Sequence, residues 1–159
     1  MKSLKLLLFT ILSGLLIGTA WFPPFTWVIF IAFIPLLILT DQVENSEIKR
    51  KKLTVFTLSY LTFLIWNCID TWWIWYASDG GAIAAIVANS LLMALTYLLY
   101  LSLKERIKSN VYGIWILIPI WLSFEYLHCK WELAWSWLTV GNIFAFEHNW
   151  VQWYEFTGV

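Results

Sequence analysis

The chain has 159 residues, of which 61% are hydrophobic and 13% charged, and its mean hydropathy is +0.73. Soluble chains carry roughly a quarter charged residues, so this composition excludes an ordinary soluble domain. The formal net charge is zero, which gives no electrostatic reason to expect nucleic acid, and two cysteines, Cys68 and Cys129, make neither a metal nor a disulfide framework.

Lys2 and Lys5 precede an apolar run over residues 6–21. The basic start and Gly18-Thr19-Ala20 also fit a cleavable signal peptide, but the later spans favour a first transmembrane helix. Phe22-Pro23-Pro24-Phe25 breaks that helix, because proline lacks the amide hydrogen and restricts the residue before it. Residues 27–39 are apolar again, though short for a bilayer core of about 30 Å. Residues 41–52 form the one strongly polar stretch and end in Glu47-Ile48-Lys49-Arg50-Lys51-Lys52. An anionic-lipid or nucleic-acid patch would look like this, but a short basic loop that sets topology explains it more simply.

A third span is predicted over 53–69, followed by an aromatic connector, 70–81, that closes in the glycine turn Gly80-Gly81. That connector can line a cation or sugar site, yet an interfacial aromatic belt is its plainer reading. Residues 82–103 form the clearest span, and 111–128 the fifth, with a kink expected at Pro119. The expected fold is therefore all-α: a multispan transmembrane bundle of about five helices. A tryptophan-rich interfacial arm follows it, and residues 150–159 open a sixth helix. The chain stops there without a polar cap, so a longer parent protein is expected.

With the N-terminus inside and one crossing per span, Lys2, Lys5, Lys49, Arg50, Lys51, Lys52, Lys104, Arg106 and Lys108 lie on the cytoplasmic side and only Lys130 lies outside. This basic asymmetry sets the orientation. Asp70, Asp79, Glu132 and Glu147 then face outward with most of the tryptophans, and binding or chemistry is expected on that face.

Glu125-x-x-His128 places a carboxylate and an imidazole on one helical face. Di-iron bundles need two such motifs and two further glutamates, so a polar pair near the interface is expected rather than a metal site. Cys129, Lys130 and Glu132 have the side-chain types of a cysteine hydrolase, but neighbours at a helix end do not converge in space. Apolar packing is the default for both cysteines, with a disulfide between them as the alternative. The chain carries no Gly-rich phosphate loop, Ser-His-Asp set or zinc spacing. No cofactor and no metal are expected.

Four stretches carry a resemblance. Thr19-Ala20-Trp21-Phe22-Pro23-Pro24-Phe25 resembles the first hairpin of apolipoprotein N-acyltransferases, which have Phe-Pro-Pro or a close variant there. Phe124-Glu125-Tyr126-Leu127 resembles their Phe/Trp-Glu-aromatic-Leu-Arg helix end, with His128 in place of the usual arginine. Trp135-Ser136-Trp137-Leu138-Thr139-Val140-Gly141-Asn142 resembles their aromatic-Pro-Trp-Leu-x-x-Gly element, with Ser136 in place of proline. Gln152-Trp153 through Thr157-Gly158-Val159 resembles the stretch that opens their next helix.

The resemblance implies transfer of an acyl chain from a membrane phospholipid to the α-amino group of a lipoprotein's diacylglyceryl cysteine. It implies a thioester on a cysteine of a Glu-Lys-Cys triad, in a nitrilase-like domain that this chain lacks. No catalytic residue carries over, and the chain alone is expected to be inactive. Glu125, Trp135, Trp137 and Asn142 are the candidate lipid- or substrate-groove residues. The implied partners are phospholipid and diacylated lipoprotein, with no nucleic acid, and the implied location is the bacterial inner membrane. The alternative functions are a small multispan ligand-binding or transport subunit with an outer aromatic site, and a purely structural membrane subunit.

Overall fold

The computed structural model describes residues 2–107, 110–132 and 134–158. Lys108 of the basic set, Leu133 of the arm and Val159 of the terminal motif lie outside the described residues. All regular structure among the described residues is helical. Three stretches are long and apolar enough to cross a membrane: Thr26–Glu44, Lys51–Tyr76 and Asp79–Ile107. Two shorter apolar helices, Ser3–Thr19 and Gly113–His128, lie beside them.

Helix α1 runs over Lys2–Thr19. The chain turns at Trp21-Phe22-Pro23-Pro24, continues through a 3-10 turn at Thr26–Val28 into α2 (Ile29–Ala32), and then into α3 (Ile34–Glu44). The break at Phe33 precedes Pro35, which cannot donate to the preceding turn. The second segment is longer than the sequence suggested. Asp41 and Gln42, read as loop, are helical, and Thr26–Glu44 has 19 residues. Buried Thr40 and Val43 continue the packed face of α3 across these polar positions.

Helix α4 covers Lys51–Thr71, and its end tightens into a 3-10 helix at Trp72–Tyr76. Helix α5 spans Asp79–Ile107. Its 29 residues make about 43 Å, longer than the hydrocarbon core of about 30 Å. The predicted glycine turn is thereby corrected: Gly80 and Gly81 lie in the first turn of α5. The Ser78 hydroxyl accepts from the Gly81 N–H at 3.1 Å and starts the helix there.

The expected kink at Pro119 appears as a break. Helix α6, Asn110–Trp115, and helix α7, Leu117–His128, are interrupted at Ile116. Pro119 has no N–H to offer the Trp115 carbonyl four residues back, and its ring crowds that carbonyl, so the helix divides one turn earlier. Helix α8, Tyr154–Thr157, is a single turn within the stretch where a further helix is expected, and it closes at Gly158 with φ 78°.

Helix α4 packs between α1 and α5. The contact with α1 is close because α1 presents Gly14 and Gly18 to Ile65 and Ile69. A Cβ at Gly14 would fall 2.8 Å from both the Thr62 carbonyl oxygen and Ile65 Cβ. Small residues of this kind let membrane helices approach backbone to backbone. Thr62 then donates to the Thr10 carbonyl at 3.2 Å, and Ser13 donates to the Ala32 carbonyl at 2.7 Å. The centre is aromatic. Trp66 of α4 stacks on Trp121 of α7, with centroids 6.3 Å apart, and Phe33 and Phe63 meet Trp121 at 5.4 Å.

One end of the bundle collects the basic residues. Lys104 pairs with Glu44 at 2.6 Å, Lys52 pairs with Glu105 at 2.7 Å, and Lys5 lies beside the turn at 45–48. The opposite end carries the tryptophans of 72–76 and the arm. The helix directions thus bring together the charges that the sequence separates by up to a hundred positions.

Candidate functional site

The site lies at the aromatic end, where α7 finishes and the arm begins. Glu125 is 9% exposed, and one of its carboxylate oxygens, Oε1, accepts two hydrogen bonds. One comes from Trp121 Nε1 at 2.9 Å, a turn back on the same helix. The other comes from the Val140 backbone N–H at 2.8 Å, at the start of a 3-10 helix over Val140–Phe146. A carboxylate at that position satisfies an orphan N–H and complements the positive end of the helix. Glu125 therefore ties the arm to the last turn of α7.

The arm itself is mostly irregular up to Thr139. Leu138 and Ile143, 4% and 2% exposed, insert into the hydrophobic core and anchor it. Phe144 adds a contact to Phe30 of α2 at 5.9 Å. The two candidate tryptophans differ. Trp135 is half-buried, and its Nε1 is buried without a hydrogen-bond partner among the described residues. Trp137 is 58% exposed and meets Trp73 edge-on at 5.4 Å, linking the arm to the 3-10 turn after α4. Asn142 is exposed; its side chain donates to the Ser136 carbonyl at 2.9 Å and closes the bend of the arm. Of the four residues singled out from the sequence, Glu125, Trp137 and Asn142 each hold the arm in shape.

Glu125 and His128 do not form a pair. While Glu125 turns to the arm, His128 Nε2 lies 3.1 Å from Asn89 Oδ1 of α5. Asn89 Nδ2 donates to Asn67 Oδ1 of α4 at 2.7 Å, and Asn67 Nδ2 donates to the Phe63 carbonyl at 2.9 Å. The Phe63 carbonyl can only accept, so it fixes the sense of the whole chain. Each amide presents its NH2 toward Phe63 and its oxygen toward His128, and His128 must carry a proton on Nε2. Three helices are joined by this buried chain one turn below the last residue of α4.

Asn67 and Asn89 were not singled out from the sequence. The available signal was their presence as amides within predicted spans, where polar side chains need partners. Asp70 also proves more buried than an outward-facing acid should be: both carboxylate oxygens are covered and have no hydrogen-bond partner among the described residues. Cys68 and Cys129 are both exposed and free, so the disulfide alternative is not formed.

Between α5 and α7 runs a groove of about 630 Å³. Leu92, Thr96 and Leu99 form one wall, and Pro119, Phe124 and Leu127 the other. His128 and Trp131 line its arm end, where the imidazole stacks on Phe124 at 5.2 Å. The groove is mostly apolar; the hydroxyls of Thr96 and Ser123 bond back to the Leu92 and Pro119 carbonyls of their own helices, and His128 lies at the arm end.

These features define a helical membrane domain whose last span clamps a folded aromatic arm across one end. Residues 13–159 match the apolipoprotein N-acyltransferase N-terminal domain, and the chain belongs to that family. A curated relative, the apolipoprotein N-acyltransferase of Chlorobaculum tepidum, is 28% identical over 158 residues. The match covers 94% of this chain and 27% of that protein, so the chain spans about a quarter of the relative's length. No solved structure matches the chain.

Proposed function

We propose that the chain is the membrane-anchoring part of a phospholipid-to-apolipoprotein N-acyltransferase of the bacterial inner membrane. In the whole enzyme, an acyl chain leaves a phospholipid and forms a thioester on a cysteine. The α-amino group of a lipoprotein's diacylglyceryl cysteine then attacks that thioester and becomes N-acylated. The thiol and its Glu-Lys partners belong to a nitrilase-like domain outside this chain. The part described here holds that domain at the membrane and shapes the lipid-facing surface beneath it.

The observation that carries this reading is the Glu125 clamp, which fixes the arm over the aromatic end of a bundle from this family. The basic end supports an N-terminus in the cytoplasm, five crossings and an outward-facing arm, because Lys and Arg concentrate on the cytoplasmic side of membrane proteins.

The test replaces the residue that aligns with Trp137 by alanine in the full-length Chlorobaculum tepidum relative. Acyl transfer from phospholipid to a diacylated lipopeptide should fall while the amount of protein in membranes is unchanged. Undiminished transfer at equal expression would remove the arm from the function and leave Trp137 as one more interfacial ring.

A further inference from the structure

We infer that Asn67 and Asn89 position the arm: acting through His128, they fix where the chain leaves α7, and residue 128 must therefore carry a hydrogen-bond donor. The inference rests on the reading above only in taking the arm as the working part of this domain.

Asn67, Asn89 and His128 are buried, at 0%, 4% and 8% exposure. Polar groups inside a span cost free energy that apolar residues would not, unless each finds a partner. Here each meets the next, and the chain ends at the Phe63 carbonyl. Apolar contacts have no preferred direction, so leucines at these positions would tolerate a small rotation of α7. Hydrogen bonds weaken steeply once their angle falls below about 120°, so this chain admits only a narrow range of rotations. A fully satisfied buried network of this kind specifies one arrangement of its helices.

His128 is also where the arm begins. It is the last residue of α7, and its carbonyl accepts the Trp135 N–H at 3.4 Å, which folds the first stretch of the arm back on the helix end. Its ring meets Trp131 of that stretch at 5.4 Å and stacks on Phe124 at 5.2 Å. A ring held at Nε2 from α5 thus sets both the side-chain and the backbone contact of the arm's first turn. Glu125 fastens the arm farther along, at Val140, by accepting; residue 128 fastens its origin by donating.

The experiment digests the purified chain in detergent with trypsin. Release of residues 131–159 by cleavage at Lys130 is followed beside the melting temperature. Asn89→Leu keeps the branching of the side chain but removes its acceptor and its donors. It should lower the melting temperature and speed release about tenfold or more, as expected when buried polar groups lose their partners. His128→Gln still presents an N–H to Asn89 and should release within about threefold of wild type. His128→Phe keeps a ring against Phe124 and Trp131 without a donor and should release about tenfold faster.

The deciding variant combines Asn67→Leu, Asn89→Leu and His128→Phe. Replacing both partners of a buried hydrogen bond by apolar groups is nearly neutral for stability, so its melting temperature should return to about that of wild type. Release should stay about tenfold fast, because no donor then holds residue 128 in place. Wild-type release from this triple variant would overturn the inference and leave the chain as a stabilising contact only. If the triple variant fails to fold, the two single replacements of His128 decide: release from His128→Phe no faster than from His128→Gln would overturn it equally. Fragment release reads the arm without acyl transfer. Undiminished transfer in the Trp137 test would sink the functional reading and leave this inference standing, and wild-type release from the triple variant would do the reverse.

Discussion

Replacing Glu125 separates a hydrogen-bonding clamp from a merely tolerated buried charge. In Glu125→Ala, the Val140 N–H and the Trp121 indole N–H lose their acceptor, and neither has an alternative partner among the described residues. Leaving a buried donor unsatisfied costs about 1–3 kcal/mol. Two such donors, offset in part by no longer burying a carboxylate, place the loss at about 2–4 kcal/mol. Glu125→Gln keeps an oxygen at the same place, able to accept both bonds, and should cost less than about 1 kcal/mol.

The assay is built into the sequence. Lys130 is the one lysine or arginine after residue 108, so tryptic cleavage there releases residues 131–159 as a single fragment. Cleavage needs the arm to open locally, and its rate follows the open population when closing is fast. Glu125→Ala should therefore raise the rate of fragment release by roughly 30- to 1,000-fold, the factor that 2–4 kcal/mol represents. Glu125→Gln should stay within about fivefold of wild type. Cleavage of Glu125→Ala at the wild-type rate would refute the clamp. Equal damage from alanine and glutamine would show that charge, not acceptor geometry, holds the arm.

Other expectations follow from the fold. Gly14→Ala should destabilise the α1–α4 contact by about 1–2 kcal/mol and lower the melting temperature in detergent, because its Cβ meets a carbonyl and a Cβ that cannot rotate away. A melting temperature at or above wild type would mean that helix propensity outweighs the overlap. For orientation, single cysteines at Ser46 and Asn149, in a background without Cys68 and Cys129, should react differently on intact cells. An impermeant thiol reagent should label position 149 and spare 46, and the opposite pattern would invert the topology. Finally, the purified chain given phospholipid and a diacylated lipopeptide should form no N-acylated product. Turnover lost in Cys129→Ala would reveal a nucleophile in this chain.

The helical membrane class, the segment order and most of the breaks were legible in the order of the residues. Those features depend on local sums: apolar residues along one stretch, prolines that remove a donor, and basic residues between spans. The family resemblance was legible in the same way, through short motifs such as Phe22-Pro23-Pro24 and Trp137-Leu138. Local reasoning missed by a few residues where packing outweighed composition, as at Asp41 and Gln42, which α3 carries into a helical turn, and at Gly80 and Gly81, which begin α5.

The partners of the polar side chains follow only from how the helices pack. Glu125 and His128 share a helix face and look like a pair, yet one meets a backbone N–H fifteen residues later and the other an amide thirty-nine residues earlier. Asn67, Asn89 and His128 form one chain only because α4, α5 and α7 pack with particular rotations and offsets. Hydropathy records how much of a helix is apolar, but not how far the helix is turned about its axis. A rotation of one residue, about 100°, would point these side chains elsewhere without changing the composition of any span.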